Sequence, residues 1–121
     1  MRTKLRDRRL SITSKVEWME STGSVHTILA TFGFDENKRL KEVFCASFKR
    51  DGSMVALAND ACILLSRLLQ HGDTIEVIVD SLGENRAEGE TSGPPSSLIG
   101  AIARVAVSVQ RDMVVVHLRK D

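Results

Sequence analysis

Between Gly83 and Pro95 the chain carries three glycines, both of its prolines and no large apolar residue. It then passes through Ser96-Ser97 into Leu98, Ile99, Ile102, Val105, Ala106 and Val109, an apolar repeat at helical spacing. Such punctuation interrupts regular structure and sends the segment to the surface, because proline cannot sit inside a helix or a central strand and glycine weakens both. Any fold must therefore pause at Gly83 and restart as a helix near Leu98. Gly100 inside that helix predicts a close approach of its backbone to a neighbour.

Upstream, the pattern changes from period two to period 3.6. Ser24 to Phe34 alternates, with Val25, Thr27, Leu29 and Thr31 on one face and His26, Ile28, Ala30 and Phe32 on the other, as in a strand. A polar connection, Asp35 to Arg39, leads to a second β-prone run from Leu40 to Phe48, and so short a join predicts a hairpin. Ser53 offers an N-cap, and Met54, Leu57, Ala58, Ala61, Leu64, Leu65, Leu68 and Leu69 recur at helical spacing until Gln70-His71-Gly72. Asp73 with Glu76 forms the pattern of a capping box for a shorter helix with the stripe Ile75, Ile78, Val79 and Leu82, closed by Gly83. The valine-rich run from Met113 to Leu118 reads as a closing strand. The expected fold is α+β, a small antiparallel sheet made of the hairpin plus a C-terminal strand, packed against about three helices. Residues 1–20 read as a basic, mobile N-terminal arm pinned by Trp18 and Met19, and residues 21–121 as a single domain.

With 121 residues the chain has room for one domain, and 17 Lys plus Arg against 16 Asp plus Glu give no general attraction to polyanions. The exception is Arg2, Lys4, Arg6, Arg8 and Arg9, opposed only by Asp7. This cluster supports an alternative function, a small nucleic-acid-binding protein that uses the arm. Against it stand the absence of tyrosine and a supply of one Trp and four Phe for base stacking. Cys45 and Cys62 lie among apolar residues without C-x-x-C spacing, the pattern of buried thiols in a reducing compartment. No run reaches the ~18 apolar residues of a membrane span or resembles a signal peptide, so the expectation is a cytoplasmic protein with no membrane contact. His26, His71 and His117 are dispersed, with no metal-ligand spacing. Asp60, inside the long helix, either faces water or pairs with Arg104 or the backbone of the loop.

The segment Thr91-Ser92-Gly93-Pro94-Pro95 resembles the signature of the TSCPD domain family, which occurs in the C-terminal region of cobalamin-dependent (class II) ribonucleotide reductases and in small stand-alone proteins. Thr91, Ser92 and Pro94 match it; the signature cysteine is Gly93 and the aspartate is Pro95. Other segments resemble the same family in the same order. They are Leu5-Arg6-Asp7-Arg8-Arg9 with Thr13 and Lys15-Val16, then Gly23 to Thr31 with Gly33 and Leu40-Lys41-Glu42-Val43-Phe44, then Lys49 with Gly52-Ser53, and finally Leu68-Leu69-Gln70-His71-Gly72.

The resemblance implies shared ancestry with a reductase appendage and a place in nucleotide metabolism and DNA replication. It does not imply the reductase reaction, whose radical and reducing cysteines and cobalamin barrel belong to other parts of those enzymes. Small family members often carry four cysteines suggestive of a metal or redox set, whereas this chain has Gly93 at the signature position, so no catalytic residue, metal or cofactor is expected. The implied role is a non-catalytic binding or assembly module with a protein partner, a ribonucleotide reductase subunit or another nucleotide-handling protein, and a homodimer as a further option. The candidate ligand surface, suited to an anion, comprises Thr91, Ser92, Gly93, Ser96 and Ser97 at the start of a helix, with Lys49, Arg50 and Arg86 adding charge.

Overall fold

A computed structural model describes residues 10–47 and 52–119. The order of elements is β1 (Ser11–Met19), β2 (Val25–Phe34), β3 (Leu40–Ser47), α1 (Ser53–Gln70), α2 (Ile75–Ser81) and α3 (Leu98–Arg119). The strands form one antiparallel sheet in the order β1-β2-β3. The fold class is α+β, as expected, with three helices.

Two strands differ from the sequence reading. The third strand comes from the N-terminal side: β1 pairs with β2 from Ser11 opposite Gly33 to Met19 opposite Val25, so the sheet begins within the stretch read as an arm. The anticipated C-terminal strand over Met113–Leu118 is instead the continuation of α3. Nothing between Val109 and Met113 breaks a helix, and a nucleated helix propagates at low cost through residues whose propensity favours strand.

The β2–β3 hairpin is fixed by Asp35, whose Oδ1 accepts the N–H groups of Asn37 and Arg39 at 2.9 and 3.0 Å. Its alternation sets the core. Ile28, Ala30, Phe32 and Phe34 of β2, with Val16 and Trp18 of β1 and Val43 of β3, are buried on one face beneath the helices. The other face carries Ser11, Thr13, Lys15 and Glu17, all exposed, and Thr13 and Thr31 share a 2.9 Å hydrogen bond there.

Helix α3 meets the buried face with small residues, Gly100, Ala101, Ala103 and Ala106, around a fully buried Ile102. Helix α1 lies along β3 and covers its free edge. The Ser66 hydroxyl accepts from the Val43 N–H at 2.8 Å and donates to the Val43 carbonyl at 3.1 Å, while Gln70 donates to the Lys41 carbonyl at 3.2 Å. A strand edge that would otherwise recruit another chain is thereby satisfied inside the domain. Capping differs by one residue from expectation at both upstream helices. Gly52, not Ser53, occupies the N-cap of α1, without a side-chain bond, and Thr74, not Asp73, caps α2 by accepting from the Val77 N–H at 3.3 Å.

The thiols expected to be buried face each other between β3 and α1. Cys62 is 2% exposed and Cys45 half-buried. Cys45 donates to Asn59 Oδ1 at 3.1 Å. Burial, reinforced by Cys45, pushes the Cys62 thiol up to about 12, and burial also raises Cys45. Both are therefore inert thiols at neutral pH.

Candidate functional site

The loop between α2 and α3 is closed at its base like a short hairpin. Glu84 and Pro95 form an antiparallel bridge, Asn85 N–H donates to the Pro94 carbonyl at 2.8 Å, and Ser96 N–H donates to the Gly83 carbonyl at 3.1 Å. Both prolines thus contribute what proline retains, a carbonyl acceptor, while their missing donors cost nothing. The Pro95 carbonyl takes the Trp18 indole N–H at 2.9 Å, which ties the loop to β1. Trp18 is held in turn by stacking on His26 at a 5.5 Å centroid distance.

Gly93 lies at the centre. A Cβ on this residue would sit 2.0 Å from the Asn85 carbonyl oxygen and 3.1 Å from the Arg86 Cα. Glycine is required here by the proximity of another backbone segment. Its carbonyl accepts from Arg104 Nη2 at 2.7 Å, and the same Nη2 lies 2.8 Å from Glu84 Oε2. The other Glu84 oxygen, Oε1, receives Arg86 Nε and Nη2 at 3.1 and 3.0 Å. One carboxylate therefore joins two guanidiniums across the base of the loop. The close approach predicted at Gly100 is also present: a Cβ there would meet Pro95 Cβ at 3.1 Å and Ser97 Oγ at 3.3 Å, so α3 nestles against the loop it follows.

The hydrogen bonds from Arg86 hold the Glu84 carboxyl below its usual range, helped by a backbone bond from Gly93 and the charges of Arg86 and Arg104, with burial acting in the opposite direction. A carboxyl lowered on folding contributes stability above its unfolded value of ~4.3, and that contribution is lost as pH falls through the folded value. Wild type is accordingly expected to melt above Glu84→Gln at neutral pH, with the gap narrowing as pH drops below about 4. Thermal melts of both proteins across pH 2.5–7 check this, and a gap that stays constant would count against the assigned network.

The candidate residues are brought together unequally. Thr91 and Ser92 are exposed, Gly93 is half-buried, and Ser96 is exposed beside Gly83. The Ser97 hydroxyl accepts from the Gly100 N–H at 3.1 Å and so caps α3. Arg86, Ser92 and Gly93 line one cleft of about 430 Å³ with Val79, Asp80, Leu82, Glu84 and Arg104. Its two carboxylates and two guanidiniums balance, so an anion entering it competes with Glu84 for the arginines. Lys49 and Arg50 lie outside the described residues, as do Arg2, Lys4, Arg6, Arg8 and Arg9 of the arm. Among the described residues, no three or more His, Cys, Asp or Glu side chains gather as they would around a metal, and no helix is long and apolar enough to cross a membrane. Asp60 is exposed on α1, and Arg104, offered as its alternative partner, pairs with Glu84 instead. The local pattern does not disclose the roles of Trp18, Glu84 and Arg104; the one available signal is a lone arginine within the apolar run of α3.

A sheet with helices on one face, closed by a glycine-proline loop whose Gly93, Pro94 and Pro95 carbonyls are all engaged from within the domain, defines a small α+β module with Thr91, Ser92 and Pro94 at its surface. Residues 2–106 match the TSCPD domain, and the chain belongs to that family, a domain found at the C-terminus of class II ribonucleotide reductases. No curated protein and no solved structure matches the chain.

Proposed function

We propose that this chain is a binding or assembly module linked to ribonucleotide reductase, and that it works by presenting the loop Thr91–Ser97 to a protein partner, a reductase subunit or another nucleotide-handling protein. The observation that carries the reading is the state of the signature segment. Its backbone is locked from beneath by Trp18, Asn85, Glu84 and Arg104, while Thr91, Ser92, Pro94 and Ser96 remain exposed. A loop held rigid and turned outward loses little conformational entropy on binding, the general advantage of a preorganised recognition surface. Gly93 supplies no thiol, and the contact with Asn85 leaves no room for one, which favours recognition over thiol or metal chemistry at this position.

The test is capture from nuclease-treated lysate of the protein's own cells, using the tagged chain and its Ser92→Arg variant side by side. Ser92 is exposed, so the variant should fold normally. Reductase subunits held by wild type and released by the variant are the expected result. Capture of neither a reductase subunit nor another nucleotide-handling protein, or equal capture by both proteins, would overturn the reading.

A further inference from the structure

Helix α1 buries one side against the sheet and leaves a continuous apolar seam on another. Leu57, Leu64 and Leu68 are 66%, 64% and 45% exposed. With half-buried Ala61 between them they follow one another at intervals of four, three and four residues, the spacing at which one helix packs along another. An exposed seam of this length on a small domain marks a contact surface.

Two charged residues identify what covers it. Asp60 and Arg67, both exposed, flank the seam along the same edge, within about 20° of each other on the helix wheel. Seven residues separate them by about 10 Å along the axis, too far to pair within one chain. An antiparallel two-fold arrangement that sets Leu57 against the partner's Leu68, and Ala61 against the partner's Leu64, brings Asp60 to within about 3 Å, along the axis, of the level of the partner's Arg67, within reach of that long side chain, and does so twice by symmetry. A parallel two-fold arrangement would carry the two charged edges to opposite sides of the seam and leave Asp60 and Arg67 without each other. Self-complementarity under a two-fold axis is what a dimer of identical chains requires. We propose that the Leu57-Ala61-Leu64-Leu68 seam pairs antiparallel with the same seam of a second copy of this chain. This surface lies on a different helix from the signature loop, and the proposal does not depend on the function assigned to that loop.

Sedimentation velocity of the full chain over roughly 0.01–1 mM, a range suited to a small interface, provides the test. Wild type is expected to pass from monomer to dimer with concentration. Leu64→Glu, which would bury an unpaired charge at the centre, should weaken dimerisation by ~100-fold, with circular dichroism confirming an unchanged fold. Asp60→Arg and Arg67→Asp should each weaken it, and the double exchange should restore it. A monomer throughout the range, a dimer indifferent to Leu64→Glu, or a double exchange that fails to rescue the single variants would overturn the proposal.

Discussion

Replacing Gly93 with alanine is expected to destabilise the protein by ~3 kcal/mol or more, at the upper end of overpacking penalties. The added methyl would stand 2.0 Å from the Asn85 carbonyl oxygen, and that oxygen belongs to a backbone segment held in place by the Asn85–Pro94 bond and the Glu84–Pro95 bridge. A flexible side chain could move aside; this segment can yield only by opening the base of the loop. Opening would also separate Arg104 from the Gly93 carbonyl and disturb its contact with Glu84. Gly93→Cys, which restores the residue of the family signature, should be no better tolerated, because the obstacle is the Cβ and not the group attached to it. Urea denaturation of both variants measures the effect. A loss below about 1 kcal/mol for either would mean that the loop adapts far more readily than its hydrogen bonds imply.

The second large effect is expected at Trp18, which joins the sheet to the signature loop. Trp18→Ala should cost ~3–5 kcal/mol, since it empties a buried aromatic site and removes the donor to the Pro95 carbonyl. Trp18→Phe separates the two contributions. It keeps most of the ring in the core and deletes the indole N–H, so the stability loss should fall to a range nearer ~1–3 kcal/mol, the cost of leaving a partly buried acceptor unpaired. The phenylalanine variant should in addition speed amide hydrogen exchange around Pro95 while leaving the β2–β3 hairpin protected, because only the tie between loop and sheet has been cut. Equal losses for the two variants, or exchange raised uniformly across the sheet, would contradict the role given to the indole N–H.

The central elements were legible where one local rule dominated. Alternation in Val25–Phe34 and the turn chemistry of Asp35–Arg39 specify the hairpin, and the leucine spacing of α1 specifies a helix with the correct end. Strand β1 was hidden because its inward face carries Ser14 between Ile12 and Val16, and its outward face is polar from Ser11 to Glu17, so the alternation resembles an irregular polar stretch. The C-terminal valines suggested a strand because β-branched residues favour sheets, yet their continuity with α3 decided the outcome. The caps of α1 and α2 were displaced by a single residue, at Gly52-Ser53 and Asp73-Thr74, where adjacent residues can both serve.

The site was legible in a similar, partial way. Glycine and proline marked the loop and its exposure. The reason for Gly93 was not visible, because it depends on Asn85, which lies opposite it only after the loop has closed. The same holds for Arg104, which sits on α3 a full loop away from Glu84 in the sequence and reaches it only through the fold. Contacts of this kind leave no periodic trace. They are set by chain closure and become apparent in three dimensions alone.

The most direct test of the functional account is amide hydrogen exchange of this chain, alone and mixed with purified ribonucleotide reductase from the same cells, read by mass spectrometry over the segment from Thr91 to Ser97. The account predicts added protection of that segment in the mixture, with no comparable change on the open face of the sheet. An unchanged segment in the presence of saturating reductase, or protection confined to other surfaces, would contradict it.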